Sequence, residues 1–187
     1  MGMPEILERW TAARVRELPE DGNRYEVVDG ELLVTPAPRL LHQKAVFCLA
    51  RLLDDHVRLV GGGHVFSSPA DIEFDPHTLV QPDVLVAPSV HGRSPRMWTD
   101  ISTLLLAVEV LSPSTARADR TVKRRRYQRA GVPEYWIVDL DARLVERWRP
   151  GDQRPEVLTE GLVWELRAGV EPLVIDLGAY FRTVLDE

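Results

Sequence analysis

Residues 103–112, TLLLAVEVLS, decide how this chain folds. The run is apolar almost without interruption and too short to span a bilayer as a helix. A strand with one face in water alternates apolar and polar residues, so this pattern predicts a strand covered on both faces. Glu109 breaks the pattern. A carboxylate among apolar neighbours must be paired, protonated or bound to a cation. A lone strand acid is more often a satisfied salt bridge, or a strand-end residue facing water, than a functional group.

Working outward, residues 39–60 carry Leu41, Ala45, Leu49, Leu52 and Leu53 at helical spacing, and Gly61-Gly62-Gly63 ends that helix. Residues 64–74 and 79–87 read as strands around a turn at Asp75-Pro76-His77. A loop follows, from Pro88 to about Thr99. After the decisive strand, residues 115–130 form a basic helix closed by Gly131 and Pro133, and EYWIVDLDARLVERWRP forms a strand pair around Asp141. Near the start, Asp29-Gly30 between two strand-like runs predicts a hairpin, and residues 5–17 suit a short amphipathic helix. Residues 156–177 add one or two strands, and GAYFRTVL suits a closing helix. The middle reads helix, strand, strand, strand, helix, strand. This is a mixed α/β (α+β) arrangement with a sheet flanked by helices, expected as one domain over 1–187.

Asp83, in LVQPDVLVAP, is a second acid inside an apolar run. Pro82 before it points to an edge position or a bulge, because proline cannot donate to a ladder. Asp83 alone could be a turn or cap residue. Two such acids on neighbouring strands suggest a shared divalent cation, and Mg²⁺ suits them because it uses one or two carboxylates and keeps several waters. Lys123 is one of only two lysines among 23 basic residues. It shares a helix face with Asp119 and Tyr127. A surface pair with Asp119 would be worth little. A lysine beside the acids could instead orient a water or stabilise charge on a reacting phosphate. The same helix carries Arg117, Arg120, Arg124, Arg125, Arg126 and Arg129. Such a run is usually a solvated face, but arginine also binds phosphate bidentately. Arg124 and Arg126 are the candidate nucleic-acid contacts. Ser112 and Ser114 are expected to cap this helix.

The net charge of −6 argues against unselective coating of nucleic acid, which needs many phosphate contacts. The single Cys48 excludes a cysteine zinc site and an internal disulfide. With no apolar leader in MGMPEILERW and no bilayer-length run, no membrane association is expected, and the location is expected to be cytoplasmic.

Asp83 in QPDV, Glu109 in VEVLSPST, the helix with Lys123 and Tyr127, and GVPEYWIVD occur in an order that resembles the Uma-type restriction endonuclease family of the PD-(D/E)XK nuclease superfamily. YEVVDGEL and His42 also resemble its pattern, and the likeness covers roughly residues 20–150. The resemblance implies a restriction-endonuclease-like core, a mixed four-stranded sheet with two flanking helices, to which the N-terminal hairpin and C-terminal strands are additions. It implies metal ligation by Asp83 and Glu109, with a backbone carbonyl near Val110 as a further ligand. It implies Mg²⁺-dependent hydrolysis of DNA, with Lys123 and Glu26 in the catalytic set and His42 and Tyr127 in the pocket. In the general superfamily pattern the lysine lies two residues after the second acid. Here that position is Leu111, and the lysine comes from the helix. This displacement leaves open a non-catalytic nucleic-acid-binding module that keeps the nuclease fold, or an oligomeric scaffold whose acids pair with arginines. A nuclease that cuts two strands is expected to be a homodimer or higher homo-oligomer.

Overall fold

The computed structural model describes residues 9–187. The central sheet has six strands in the order β10-β9-β8-β7-β6-β3, and its middle strand, β7 (Leu106–Val110), is buried at every position. On one side β7 pairs antiparallel with β6 (Val84–Pro88), in the register Val84↔Val108; on the other it pairs parallel with β8 (Tyr135–Asp139). β3 (Gly63–Ser67) closes one edge, and β9 (Leu144–Trp148) and β10 (Glu156–Leu158) extend the other. The expected four-stranded core is thus part of a six-stranded sheet.

A second sheet, ordered β2-β1-β5-β4, joins β1 (Arg24–Val28) and β2 (Glu31–Thr35) to β4 (Ile72–Asp75) and β5 (Thr78–Val80). The β1–β2 hairpin turns at Asp29 and Gly30, whose φ values of 53° and 86° match the turn that Asp-Gly favours. It is not a free-standing addition: β1 pairs with β5 through Val27↔Leu79. The expected strand 64–74 is split between the two sheets, and 79–87 divides the same way. Pro69 and Pro82 lie in the two breaks, where no ladder donor is needed. Pro82 marks neither an edge nor a bulge, because β6 lies inside the sheet and Asp83 directly precedes it.

α2 (Leu40–Val60) buries Ala45, Val46, Leu49, Leu53 and Val57, and ends at Gly61. Leu41, expected inside, is exposed, because it lies in the first turn, beyond the sheet it would cover. α2 and α5 (Leu177–Leu185) cover one face of the central sheet together with the hairpin β11 (Gly161–Trp164) and β12 (Leu173–Asp176). Across the sheet runs the basic helical segment: α3 (Ala116–Ala118), a π-helical turn (Asp119–Lys123) and α4 (Arg124–Arg129). Ser112 begins it through its carbonyl, which accepts from Thr115 and Ala116. Neither Ser112 nor Ser114 caps it by a side-chain bond to a helix amide, because their hydroxyls bond to each other. Of the expected helix over 5–17, the described part is α1 (Ala12–Val15); residues 5–8 lie outside the described residues.

Candidate functional site

Side chains alternate along β7. Leu106, Val108 and Val110 face α2 and α5, while Ala107 and Glu109 face the basic helix. Continuing the alternation of β6 puts Asp83 on the Glu109 side, since Leu85 and Ala87 belong to that face. The two acids therefore share one face on adjacent strands. The Val110 amide donates to Asp83 Oδ2 at 2.8 Å, which ties the Asp83 carboxylate to the residue after Glu109. His42 Nε2, from the first turn of α2, lies 3.1 Å from the same oxygen. Arg24, the first residue of β1, donates to Asp83 Oδ1 at 2.8 Å, and also to Ser68 Oγ and the Gln81 carbonyl.

Lys123 does not reach solvent. Its Nζ lies 2.9 Å from Glu109 Oε1, 2.8 Å from Glu26 Oε2 and 3.5 Å from Asp119 Oδ1. Tyr127, one helical turn on, donates to Glu109 Oε1 at 3.2 Å. The π-helical turn accommodates this: Arg124 N–H bonds back to Asp119 O, five residues earlier, and both Asp119 and Lys123 are buried within it. Leu111, the conventional lysine position, also lies on the Glu109 side, packed into that core. Glu26 arrives from the small sheet and is held by the Gln81 amide at 2.7 Å.

Electrostatics follow from burial. Desolvation works to raise the Asp83 carboxyl, but the His42 hydrogen bond, the Arg24 charge and the Val110 amide outweigh it and hold Asp83 at about 2. Desolvation pushes Glu109 well above the usual carboxylate range; Lys123 opposes this, and Asp119, Asp83 and Glu26 add to it. Desolvation raises Asp119 in the same way. Burial would lower Lys123, but Glu109, Glu26 and Asp119 hold it well above its ordinary value. Four acids, Asp83, Glu109, Glu26 and Asp119, thus face two permanent cations, Arg24 and Lys123, and burial shifts two of the four, Glu109 and Asp119, upward. Asp119 Oδ1 is buried without a hydrogen-bond partner. Among the described residues no three His, Cys, Asp or Glu side chains form a ready ligand sphere. Two neighbouring acids in a cluster holding more acids than permanent cations fit a hard divalent cation, which Asp83 and Glu109 would hold.

The sites read from the sequence thus fall into two groups. Asp83, Glu109, Lys123, Glu26, His42 and Tyr127 converge. Arg124 and Arg126 do not face this cluster. Arg126 is paired with Asp75 at 2.6 Å and lies over Phe74, and Arg124 lies over the Trp148 ring, 4.5 Å from its centroid. The exposed arginines of this segment with no partner among the described residues are Arg117 and Arg125. Sequence reasoning missed Arg24 and Asp119 as members of the cluster. Asp119 carried a signal, its four-residue spacing from Lys123; Arg24 carried none, because only pairing of the two sheets' neighbouring segments brings it to Asp83.

The family model described as "Uma2: Putative restriction endonuclease" matches residues 12–178. Among solved structures, the chain resembles a protein described as a putative nuclease belonging to DUF820 from Anabaena variabilis ATCC 29413. The TM-score is 0.75 at 18% identity, covering 94% of this chain and 99% of the other, which establishes a shared fold. No curated protein matches in sequence.

Proposed function

The chain belongs to the Uma2 family, and from that premise we propose that it is a Mg²⁺-dependent endonuclease hydrolysing phosphodiester bonds of DNA. The observation that carries this reading is that Asp83, just before β6, and Glu109 of β7 are buried on one face of neighbouring strands, with Lys123 of the helix paired to Glu109. Asp83 and Glu109 would hold the Mg²⁺, which would supply positive charge at a scissile phosphate and favour deprotonation of a water. The chain's own residues prepare that site. The Val110 amide and His42 fix the Asp83 carboxylate, and Tyr127 fixes Glu109 Oε1. Glu26, whose Oε2 has no other partner among the described residues, holds the Lys123 ammonium in place beside Glu109, where it stabilises negative charge building on phosphate oxygens. The same reading makes the protein a cytoplasmic homodimer or higher homo-oligomer, two copies serving two strands. No described helix is long and apolar enough to cross a membrane.

One observation favours a second reading, a non-catalytic nucleic-acid-binding module: Lys123 is enclosed by three carboxylates and its side chain is only 3% exposed. Incubation of plasmid and oligonucleotide DNA with Mg²⁺, Mn²⁺, Ca²⁺ or EDTA separates the two. The first reading expects cleavage in Mg²⁺ that EDTA stops and that Asp83→Asn and Glu109→Gln abolish. DNA binding without cleavage in any cation selects the second. Neither cleavage nor binding overturns both.

A further inference from the structure

Asp83 and Glu109 each use one carboxylate oxygen fully inside the protein. Asp83 Oδ2 takes the Val110 amide and His42, and Glu109 Oε1 takes Lys123 and Tyr127. Among the described residues no donor reaches Glu109 Oε2. Asp83 Oδ1 carries one group, the Arg24 guanidinium. The acceptor capacity that the two acids have left for a cation is therefore Glu109 Oε2 and the oxygen that Arg24 now holds.

We infer that Arg24 is the counter-ion of Asp83 in the cation-free protein, and that it leaves Asp83 Oδ1 for a phosphate of the nucleic acid when a divalent cation binds. This rests on the cation-dependent reading above. The two cations of the cluster are not equivalent. Lys123 is wedged between three carboxylates and cannot leave without stranding them. Among the described residues Arg24 has one ionic partner within bonding distance; its other contacts, Ser68 Oγ and the Gln81 carbonyl, are neutral, and its side chain is 15% exposed. A guanidinium and a divalent cation on one carboxylate oxygen repel each other. A divalent cation at Asp83 also replaces the positive charge that Arg24 supplies there, so Arg24 is no longer required at Asp83. Its planar fork suits two phosphate oxygens.

The test is Mn²⁺ binding without nucleic acid, by electron paramagnetic resonance of free Mn²⁺, to wild type, Arg24→Gln, Arg24→Lys and Ser68→Ala. Removing a group that occupies the site raises apparent affinity by the reciprocal of the fraction of time the site was free. Arg24→Gln is expected to bind Mn²⁺ roughly tenfold more tightly, and Ser68→Ala, which only loosens the arginine's anchor, to shift in the same direction by less. In Ca²⁺, Arg24→Gln is expected to bind duplex DNA more weakly, with a log–log salt slope smaller by about 0.9, and Arg24→Lys to retain the slope. Unchanged or weaker Mn²⁺ binding by Arg24→Gln, with wild-type binding intact, overturns this inference alone. Mn²⁺ binding by neither protein overturns the cation-dependent reading with it. If Arg24→Gln does not fold, as judged by circular dichroism, Ser68→Ala decides: no shift in its Mn²⁺ affinity overturns the inference.

Discussion

The two faces of the central sheet are made by alternate residues of the same strands, yet they are built on opposite principles. Toward α2 and α5, Val84, Val86, Leu106, Val108, Val110, Trp136 and Val138 form a continuous apolar core. Toward the basic helix, Asp83 and Glu109 interrupt the apolar set and gather Arg24, Glu26, Asp119 and Lys123 around them. Close packing of apolar groups is stabilising wherever it occurs. Buried ionised groups are rarely more stabilising than apolar ones of the same volume. The first face holds the sheet rigid, and the second uses that rigidity to keep like charges close. The shift of Glu109 well above the carboxylate range, set first by burial, is the sign of that confinement.

The strongest way to break this comparison is to remove the central cation. Lys123→Met leaves three buried acids without their shared partner. We expect a loss of about 4 kcal/mol in urea unfolding at neutral pH in EDTA, part of which saturating Mg²⁺ restores. Leu53→Ala, on the apolar side, is expected to lose about 3 kcal/mol by leaving a cavity, to the same extent with and without Mg²⁺. Equal Mg²⁺ responses of the two variants would erase the distinction between the faces.

A smaller effect of opposite sign sharpens it. Glu109→Gln keeps an acceptor for Lys123 and Tyr127 while removing the acid that burial shifts furthest upward. In EDTA at pH 7 it is expected to stabilise the protein by about 1 kcal/mol, or about 2–4 °C in melting temperature. The pH dependence has a definite sign. Glu109 and Asp119 have folded values above their ordinary 4.5 and 3.8, so their contribution is fully present below those values. It is lost as pH rises through the elevated folded ones. Asp83 does the reverse: its contribution is present above 3.8 and lost as pH falls toward about 2. Wild type in EDTA should therefore lose stability with rising pH above about 4.5, and Glu109→Gln less steeply. Identical slopes would show that burial of Glu109 does not set the pH dependence.

The smallest effect concerns the outer side of the basic helix. Arg125→Ala should change stability by no more than about 0.5 kcal/mol. If Arg125 meets phosphate, its loss should lower the salt slope of DNA binding in Ca²⁺ by about 0.9. Arg126→Ala should lower the melting temperature instead, because Arg126 ties Asp75 of the small sheet to the helix.

The central strand, the hairpin at Asp29-Gly30, α2 and the basic helix were legible because each is specified by neighbours in sequence: an apolar run, a turn dipeptide, a helical period. The division of residues 63–88 between two sheets was not. Short strands broken by proline carry no mark of which sheet they join, and long-range pairing such as Val27↔Leu79 decides it. Arginine was similarly opaque. The run at 124–126 looks uniform, yet the helix sends Arg124 onto Trp148, Arg126 onto Asp75 and Arg125 into solvent.

Local periodicity alone places Glu109 in a covered strand and Asp83 in a second apolar run, and it puts Lys123, Asp119 and Tyr127 on one helix face. Only the tertiary structure decided that these residues meet, that Glu26 and Arg24 join them from the other sheet, and that Lys123 lies against Glu109 although Leu111 holds the conventional position. Charge balance in a buried cluster depends on distances of about 3 Å between residues as far apart as 24 and 83, and no local pattern encodes such a distance.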